Sequence, residues 1–581
     1  MSDIQVYADI NSSFIRFIVK NPSADDILVA SSLGIRNNGF GGTFDVDCNK
    51  ILRYGLYMFM LQINRGFEDH SKYKDLFLSI KEIFDKIDTP RIEYMKSKLS
   101  RLVTLKVNEE MITKTTYDWL FEDQVEVVKA SLFLNNILVS FETGMGKSLI
   151  GSSISTLNDH KKTLIVCTKS AKINWKRELL KWGEKIEDIT VVNGSGKKTL
   201  RTGEKFIIIT YDLARTKLRA LLSRDINHII IDESHKAKNI KTKRFRVLEE
   251  IKKVKNPRST SLSGTPITNR SNDLYAPAKL ANHLLGRSYK DYKQRFCIVK
   301  PSQFGEMIIG SKNEELLHRC LANFMIRNKV KKVDALGVNV SYKRMYLGME
   351  YYSSDYNNLV NEMITKKGIS KLELHSYLTS LSRLCALSKT PAMIEYVEDI
   401  AFEYNEKILV FTTFTDVIKK FEEHFKDKCV IIQGATSDTM RDHNKMKFIE
   451  DDTCKIFVLQ TQAGSESLDG LQTVCNKMVY IDIPLVPKDL TQGVGRLLRL
   501  LQTKGVECGL AIAEGTIDER LVDMNISKEK SINLILDNSN KTFEFQDVEF
   551  ELLNFLKSNN GQIIEDSSEA EESNVAAGEL I

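Results

Sequence analysis

Glu142-Thr143-Gly144-Met145-Gly146-Lys147-Ser148 follows the apolar run Asn136–Phe141 and leads into a stretch with helical spacing. A strand that ends in a glycine-rich turn and opens a helix is the setting of a phosphate-binding loop. Glycines let backbone N–H groups close round phosphate oxygens, and the helix N-terminus adds a favourable dipole. In such a loop Gly144, Met145 and Gly146 supply backbone, Lys147 reaches the β- and γ-phosphates, and Ser148 ligates Mg²⁺. The pattern GxxxxGK[ST] is met except at its first glycine, where Phe141 stands. A structural Gly-Lys-Ser turn is the competing reading of the loop alone.

A second signal lies downstream. Ile229-Ile230-Ile231-Asp232-Glu233-Ser234-His235 is an apolar strand that delivers two carboxylates at its end. In an open α/β sheet, ligands bind at that edge. Asp232 there holds Mg²⁺ opposite Ser148, and Glu233 polarises an attacking water. Two carboxylates after a strand are otherwise a solvated strand end; the loop upstream favours the catalytic reading. A third signal, Gln492-Gly493-Val494-Gly495-Arg496-Leu497-Leu498-Arg499, puts two arginines at i and i+3, on one face of an expected helix. A guanidinium pairs bidentately with phosphate and stabilises charge developing on a transferring phosphoryl group. Such a pair is otherwise a surface ion pair.

Outward from these motifs, short apolar strands alternate with helices. Asn136–Phe141, Thr163–Cys167, Phe206–Thr210, His228–Ile231 and Thr260–Ser263 form one set. Ile408–Phe411, Cys429–Ile432, Ile456–Leu459, Met478–Ile481 and Cys508–Ile512 form another. Buried parallel sheets flanked by helices produce this pattern. The expected fold is therefore α/β with two such lobes, over residues 116–285 and 405–557. Residues 286–404 read as a helical insertion, with apolar residues at helical spacing in Leu372–Tyr396. Residues 1–115 read as a small α+β accessory domain that carries no chemistry: Ile4–Ala8 and Phe14–Val19 are strands, Ile51–Ile63 and Tyr73–Ile87 helices. Residues 558–581 read as a disordered acidic tail.

The chain has 581 residues, too many for one hydrophobic core. It is 42% hydrophobic and 28% charged, as ordinary globular proteins are. Its net charge of +6 suits a polyanionic partner, and the acidic tail masks part of that basic character. No apolar run reaches the ~20 residues of a membrane helix, and Met1-Ser2-Asp3 opens no secretion leader. Nine scattered cysteines without a CxxC pair predict reduced thiols, and an intracellular protein of cytoplasm or nucleus. Residues 236–258 carry Lys and Arg in excess, read first as a solvated face and second as a strip that tracks phosphates. Trp175 and Trp182, seven apart, share a helix face and read as core packing rather than base stacking.

Taken in order, the motifs resemble helicase superfamily 2, and within it the SWI/SNF-like (sucrose-non-fermenting) ATPases. The resemblance runs from about Trp119 to Arg520. Leu120-Phe121-Glu122-Asp123-Gln124 resembles the adenine-reading Q motif. "LIVCTKSAKINWKRELLKW" (Leu164–Trp182), Ile209-Thr210-Tyr211-Asp212, "DESHKAKN" (Asp232–Asn239), "LSGTPITN" (Leu262–Asn269), "KILVFTTF" (Lys407–Phe414), "QTQAGSESLDGL" (Gln460–Leu471), "QGVGRLLRLLQ" (Gln492–Gln502) and "GTIDER" (Gly515–Arg520) follow in the family's order. Gly310–His318 and Phe324-Met325-Ile326-Arg327 resemble annealing-helicase and fork-remodelling members. The resemblance implies two RecA-like lobes with ATP and Mg²⁺ between them. It implies nucleotide contacts from Gln124 and Gln492, with Arg496 and Arg499 brought in from the second lobe. Gly264 and Thr265 would couple hydrolysis to lobe movement. Thr168, Lys169, Thr210, Tyr211, Thr412 and Thr461 would contact DNA, and replication or recombination proteins could dock on residues 1–115 or the tail. Ser465, Ser467 and Asp469 depart from the family's glycine-rich motif. Three activities stay open: a translocase on duplex or branched DNA, a strand-separating DNA or RNA helicase, and an ATP-gated DNA-binding scaffold.

Overall fold

The apolar runs become strands because β-branched residues fill both faces. Phe206–Thr210 (FIIIT) and His228–Ile231 (HIII) are buried almost throughout, as central strands of a helix-covered sheet must be. The computed structural model describes residues 4–38, 42–63, 74–107, 110–142, 144–169, 171–193, 203–268, 270–302, 305–327, 337–366, 369–461, 468, 470–499, 502–525, 552 and 556. The acidic tail, Thr143, Asn269, Ser465, Ser467 and Asp469 lie outside them. The chain divides into two units, built mainly on Met1–Lys331 and Lys332–Lys530.

The first unit carries a seven-stranded sheet. In spatial order its strands are Met325–Arg327, Asn136–Ser140, Arg258–Leu262, His228–Ile231, Thr163–Cys167, Phe206–Thr210 and Ile189–Val191. All neighbours are parallel. The strand before the glycine-rich loop and the strand before Asp232 thus flank Arg258–Leu262, and their carboxyl ends share one edge.

An antiparallel sheet of Ile4–Asp9, Phe14–Val19, Thr43–Asp47 and Arg36–Asn37 sits on this unit. It does not stand apart. A single apolar core runs from Ile15, Phe17, Phe44 and Phe59 through Tyr275, Tyr292, Phe296, Leu317 and Phe324 to Leu138. Asn323 fastens the seam: its carbonyl accepts from the Leu52 N–H at 2.8 Å and its amide donates to the Leu33 carbonyl at 3.2 Å.

The second unit has a six-stranded parallel sheet in the order Val340–Leu347, Val506–Ala513, Lys477–Tyr480, Ile408–Thr412, Ile456–Gln460 and Cys429–Ile432. The stretch 286–404 is therefore not one helical insertion. Its first part supplies the hairpin Cys297–Ser302/Gly305–Ser311 and the edge strand Met325–Arg327 to the first unit. Its second part supplies the edge strand Val340–Leu347 and the helix Lys371–Glu398 to the second. Among the described residues no helix is long and apolar enough to cross a membrane, and all nine cysteines are buried free thiols.

Candidate nucleotide site and relatives

The loop after Asn136–Ser140 turns through Gly144 at φ +88° and Gly146 at φ +70°. Both values lie in the left-handed region that glycine enters without steric cost. Gly146 caps the helix Lys147–Leu157. Its lack of a side chain is required twice over, since a Cβ there would meet Gln124 Nε2 at 2.5 Å. Gln124 is buried, donates Nε2–H to the Met145 carbonyl at 2.9 Å and accepts from the Phe121 N–H at 3.0 Å. Its amide thus braces the loop from behind. The Lys147 ammonium donates to the Phe141 and Glu142 carbonyls at 3.0 and 3.2 Å, oxygens that phosphate can replace. Phe141, where the pattern has glycine, is a fully buried core residue.

Asp232 leaves His228–Ile231 with its N–H donated to the Val166 carbonyl at 2.9 Å. Its Oδ1 accepts from the Glu233 N–H at 3.0 Å and its Oδ2 from the Trp175 indole N–H at 2.8 Å. Burial, with the Glu233 charge added, pushes the Asp232 carboxyl above the usual carboxylate range, while the Trp175 indole N–H and then the Lys147 ammonium pull it back. Glu233 takes a left-handed conformation (φ 49°), a strained state for a residue with a side chain. Its Oε2 lies 3.2 Å from His235 Nδ1. The same ring nitrogen lies 3.2 Å from Ser263 Oγ, which accepts from the Thr265 N–H at 3.1 Å. A chain of polar contacts thus joins the carboxylate turn to the Gly264-Thr265 turn. His235 stands inside the Asp232–Asn239 motif without a role assigned from sequence; its burial and the Ser263 contact supply one.

These residues fit Mg²⁺-nucleotide. The loop offers backbone donors and an ammonium for phosphate, and Ser148 and Asp232 offer oxygen ligands. Among the described residues no group of three or more His, Cys, Asp or Glu could hold a metal by itself. A cation here would depend on phosphate oxygens for the rest of its shell, as Mg²⁺ does at such loops.

Several expected DNA contacts need correction. Tyr211 is buried, and its hydroxyl donates to the Asp232 carbonyl at 2.7 Å. Thr412 is buried, and its hydroxyl donates to Asp482 Oδ1 at 2.6 Å. Thr461 is buried as well. These side chains face inward, so they offer nothing to a phosphate. Thr210 is half-buried and its hydroxyl caps the helix Tyr211–Thr216, whereas Thr168 is half-buried and Lys169 exposed. Four of the ten basic residues of 236–258 are engaged by the fold: Lys238 bonds Asp273, Arg244 bonds Asp212, Arg258 bonds Asn158, and Lys252 is buried against Asn136 and the Pro257 carbonyl, whereas Lys241, Lys243, Arg246 and Lys253 are exposed, as on a solvated face.

In the second unit, Gln492 and Arg496 lie buried in the helix Pro487–Leu497. That helix ends at Leu497, so Arg499 does not share its face as the i, i+3 spacing implies. Arg499 turns back instead, donating Nε–H to the Gly495 carbonyl at 2.7 Å, and burial lowers it to about 10.

The SNF2-related domain matches residues 60–393, and the helicase conserved C-terminal domain residues 388–500. The chain belongs to the SNF2-related family. Within that family it is 25% identical over 452 residues to the human "DNA annealing helicase and endonuclease ZRANB3", covering 74% of this chain and 42% of that protein. An "Uncharacterized ATP-dependent helicase" of Mycoplasma pneumoniae is 24% identical over 79% of this chain and 45% of its own. The Drosophila melanogaster "SWI/SNF-related matrix-associated actin-dependent regulator of chromatin subfamily A-like protein 1" is 25% identical over 69% and 53%. The chain spans about half the length of the curated relatives it matches. Among solved structures, "Sulfolobus solfataricus SWI2/SNF2 ATPase core in complex with dsDNA" aligns over 76% of this chain and 96% of that one, at 22% identity and a TM-score of 0.34. The SNF2-related match begins inside the expected accessory domain, in keeping with the core those residues share with the first lobe.

Proposed function

We propose that this SNF2-related chain hydrolyses ATP to move along duplex or branched DNA, and that it reanneals or remodels strands rather than unwinding plain duplex. One observation carries the reading: the glycine-rich loop with Lys147, and the Asp232-Glu233 turn, lie at one edge of a parallel sheet, on strands that both flank Arg258–Leu262. The DNA track and the annealing activity rest on relatives of that description.

Lys147 then binds the β- and γ-phosphates, giving up the two carbonyls it holds. Ser148 and Asp232 hold Mg²⁺, which neutralises phosphate charge when bound. Glu233 orients the attacking water. Gln124 stiffens the loop and is the candidate reader of adenine. In the second unit, Arg496 and Arg499 are the candidate counter-charges for phosphate and Gln492 a candidate nucleotide contact. The exposed Lys169 and the half-buried Thr168 and Thr210 are the candidate phosphate contacts on DNA. Gly264 and Thr265 relay the state of Glu233 through His235 and Ser263.

ATP turnover measured with duplex, single-stranded, forked and four-way DNA and with RNA, at stated salt, tests the assignment. Branched or duplex DNA should stimulate most. Lys147→Ala should lower turnover at least about 100-fold, the scale on which positioned charge contributes to catalysis, with an unchanged melting curve. Wild-type turnover in that variant removes the assignment.

A further inference from the structure

Two buried aromatic side chains reach the Asp232-Glu233 turn from two different helices. Trp175 lies on Ala171–Lys181, about one turn from its start and just after Thr168-Lys169. Its indole N–H donates to the Asp232 carboxylate at 2.8 Å. Tyr211 opens Tyr211–Thr216 directly after Thr210. Its hydroxyl donates to the Asp232 carbonyl at 2.7 Å and lies 3.3 Å from that of Glu233. Both rings are buried, Trp175 at 1% exposure and Tyr211 at 4%. For packing alone a phenylalanine would serve, with no polar atom to satisfy. A buried tryptophan N–H or tyrosine hydroxyl needs a partner, and here both partners belong to the same two residues.

We infer that Trp175 and Tyr211 are positioning residues through which DNA at the Thr168-Lys169 and Thr210 turns sets the geometry of the Asp232-Glu233 carboxylates. The inference rests on the proposed reading, that those turns meet DNA and those carboxylates serve ATP hydrolysis. A helix transmits displacement of its first turn as a rigid rod. A shift of the Thr168-Lys169 turn therefore moves the indole, and the hydrogen bond to Asp232 strengthens or weakens steeply with distance and angle. Tyr211 acts on the main chain of the same turn, so the two helices together fix both the carboxylate and its backbone. The route is a set of contiguous bonds inside one unit, and it predicts coupling that can be measured.

The test uses the full chain, Trp175→Phe and Tyr211→Phe, each of which keeps the ring and removes one donor. The chain has three tryptophans, so subtracting the emission of Trp175→Phe from that of the wild type isolates Trp175. Blunt duplex added without nucleotide or Mg²⁺ should change that difference emission, saturating with the anisotropy of labelled duplex. The ratio of DNA-saturated to DNA-free turnover should fall about tenfold in Trp175→Phe, the worth of a hydrogen bond at a charged group, and about fivefold in Tyr211→Phe, whose partner is a neutral carbonyl. Should Trp175→Phe fail to fold by its melting curve, Tyr211→Phe, lacking only a hydroxyl, carries the test. The wild-type ratio kept by every folded variant overturns the inference, whatever the emission does. Duplex binding that leaves the Trp175 emission unmoved overturns it as well, and leaves the translocase reading intact. A wild-type chain that neither binds duplex nor hydrolyses ATP removes both.

Discussion

Gly493 sits inside the helix Pro487–Leu497, where an alanine would ordinarily be favoured by about 1 kcal/mol. Here a Cβ would lie 1.9 Å from the Tyr480 hydroxyl, which donates to the Asp489 carbonyl at 2.9 Å. The glycine lets the helix rest on Tyr480, and so sets where Gln492 and Arg496 stand. Gly493→Ala should destabilise the second unit by about 1–3 kcal/mol, the cost of overpacking, read from denaturant unfolding. Adding Tyr480→Phe should return part of the loss; no difference between the single and double variants would sink the account. At this scale the sequence reveals chemistry better than orientation. The placement of Lys147, Ser148, Asp232 and Glu233 at one sheet edge was readable because each stands directly after a strand or its turn. The inward turn of Tyr211 and Thr412 was not, because Asp232 and Asp482, distant in sequence, capture their hydroxyls, nor was the burial of Thr461. Trp175 was rightly expected in the core, yet its N–H partner lies 57 residues away and leaves no local trace.

Elements are held by buried polar knots as well as by apolar faces. Lys389, on the helix Lys371–Glu398, is wholly buried with Asp518 of the Gly515–Arg520 segment and also donates to the Ala511 carbonyl at 2.8 Å. Removing one partner leaves a buried charge. Lys389→Met should therefore cost about 3–5 kcal/mol, and Lys389→Met with Asp518→Asn should recover part of it in the same unfolding measurement. In the first unit His228 lies between Ser155 Oγ at 2.8 Å and Thr260 Oγ1 at 2.9 Å, stacked on His160 at 4.5 Å. Burial pushes His228 well below 6.5 and His160 to about 4. The folded state keeps both rings neutral, whereas the unfolded chain takes up protons near 6.5. Stability is thus full above that value and falls as pH drops from 6.5 towards 4, with His160 alone worth about 3 kcal/mol. Melting temperature should be flat above pH 7 and decline below 6.5, and His160→Asn should flatten the decline; an unchanged slope would refute it. The central strands of both sheets were legible because burial on both faces leaves continuous apolar runs. The edge strands Met325–Arg327 and Val340–Leu347 were not: the first has three residues, and the second, with Tyr342, Lys343, Arg344 and Tyr346 exposed, carries no such run.

For the whole molecule, two α/β lobes and their motif order were visible in the sequence, but the borders between them were not. Composition shows where a helical stretch begins, and cannot show which sheet its flanking strands complete. Two of the four N-terminal strands, Ile4–Ala8 and Phe14–Val19, were legible in sequence, and the fusion of their sheet with the first lobe depends on side chains some 250 residues away, such as the contacts of Asn323 and His283. That shared core decides where the gene can be cut. A recombinant fragment ending near Lys331 keeps the last strand of the first sheet and the apolar seam beneath the N-terminal residues, and should be recovered as a monodisperse species by gel filtration. One ending at Leu285 would leave Leu138 and Phe59 without part of their cover and an unpaired strand edge beside them, and should precipitate on expression.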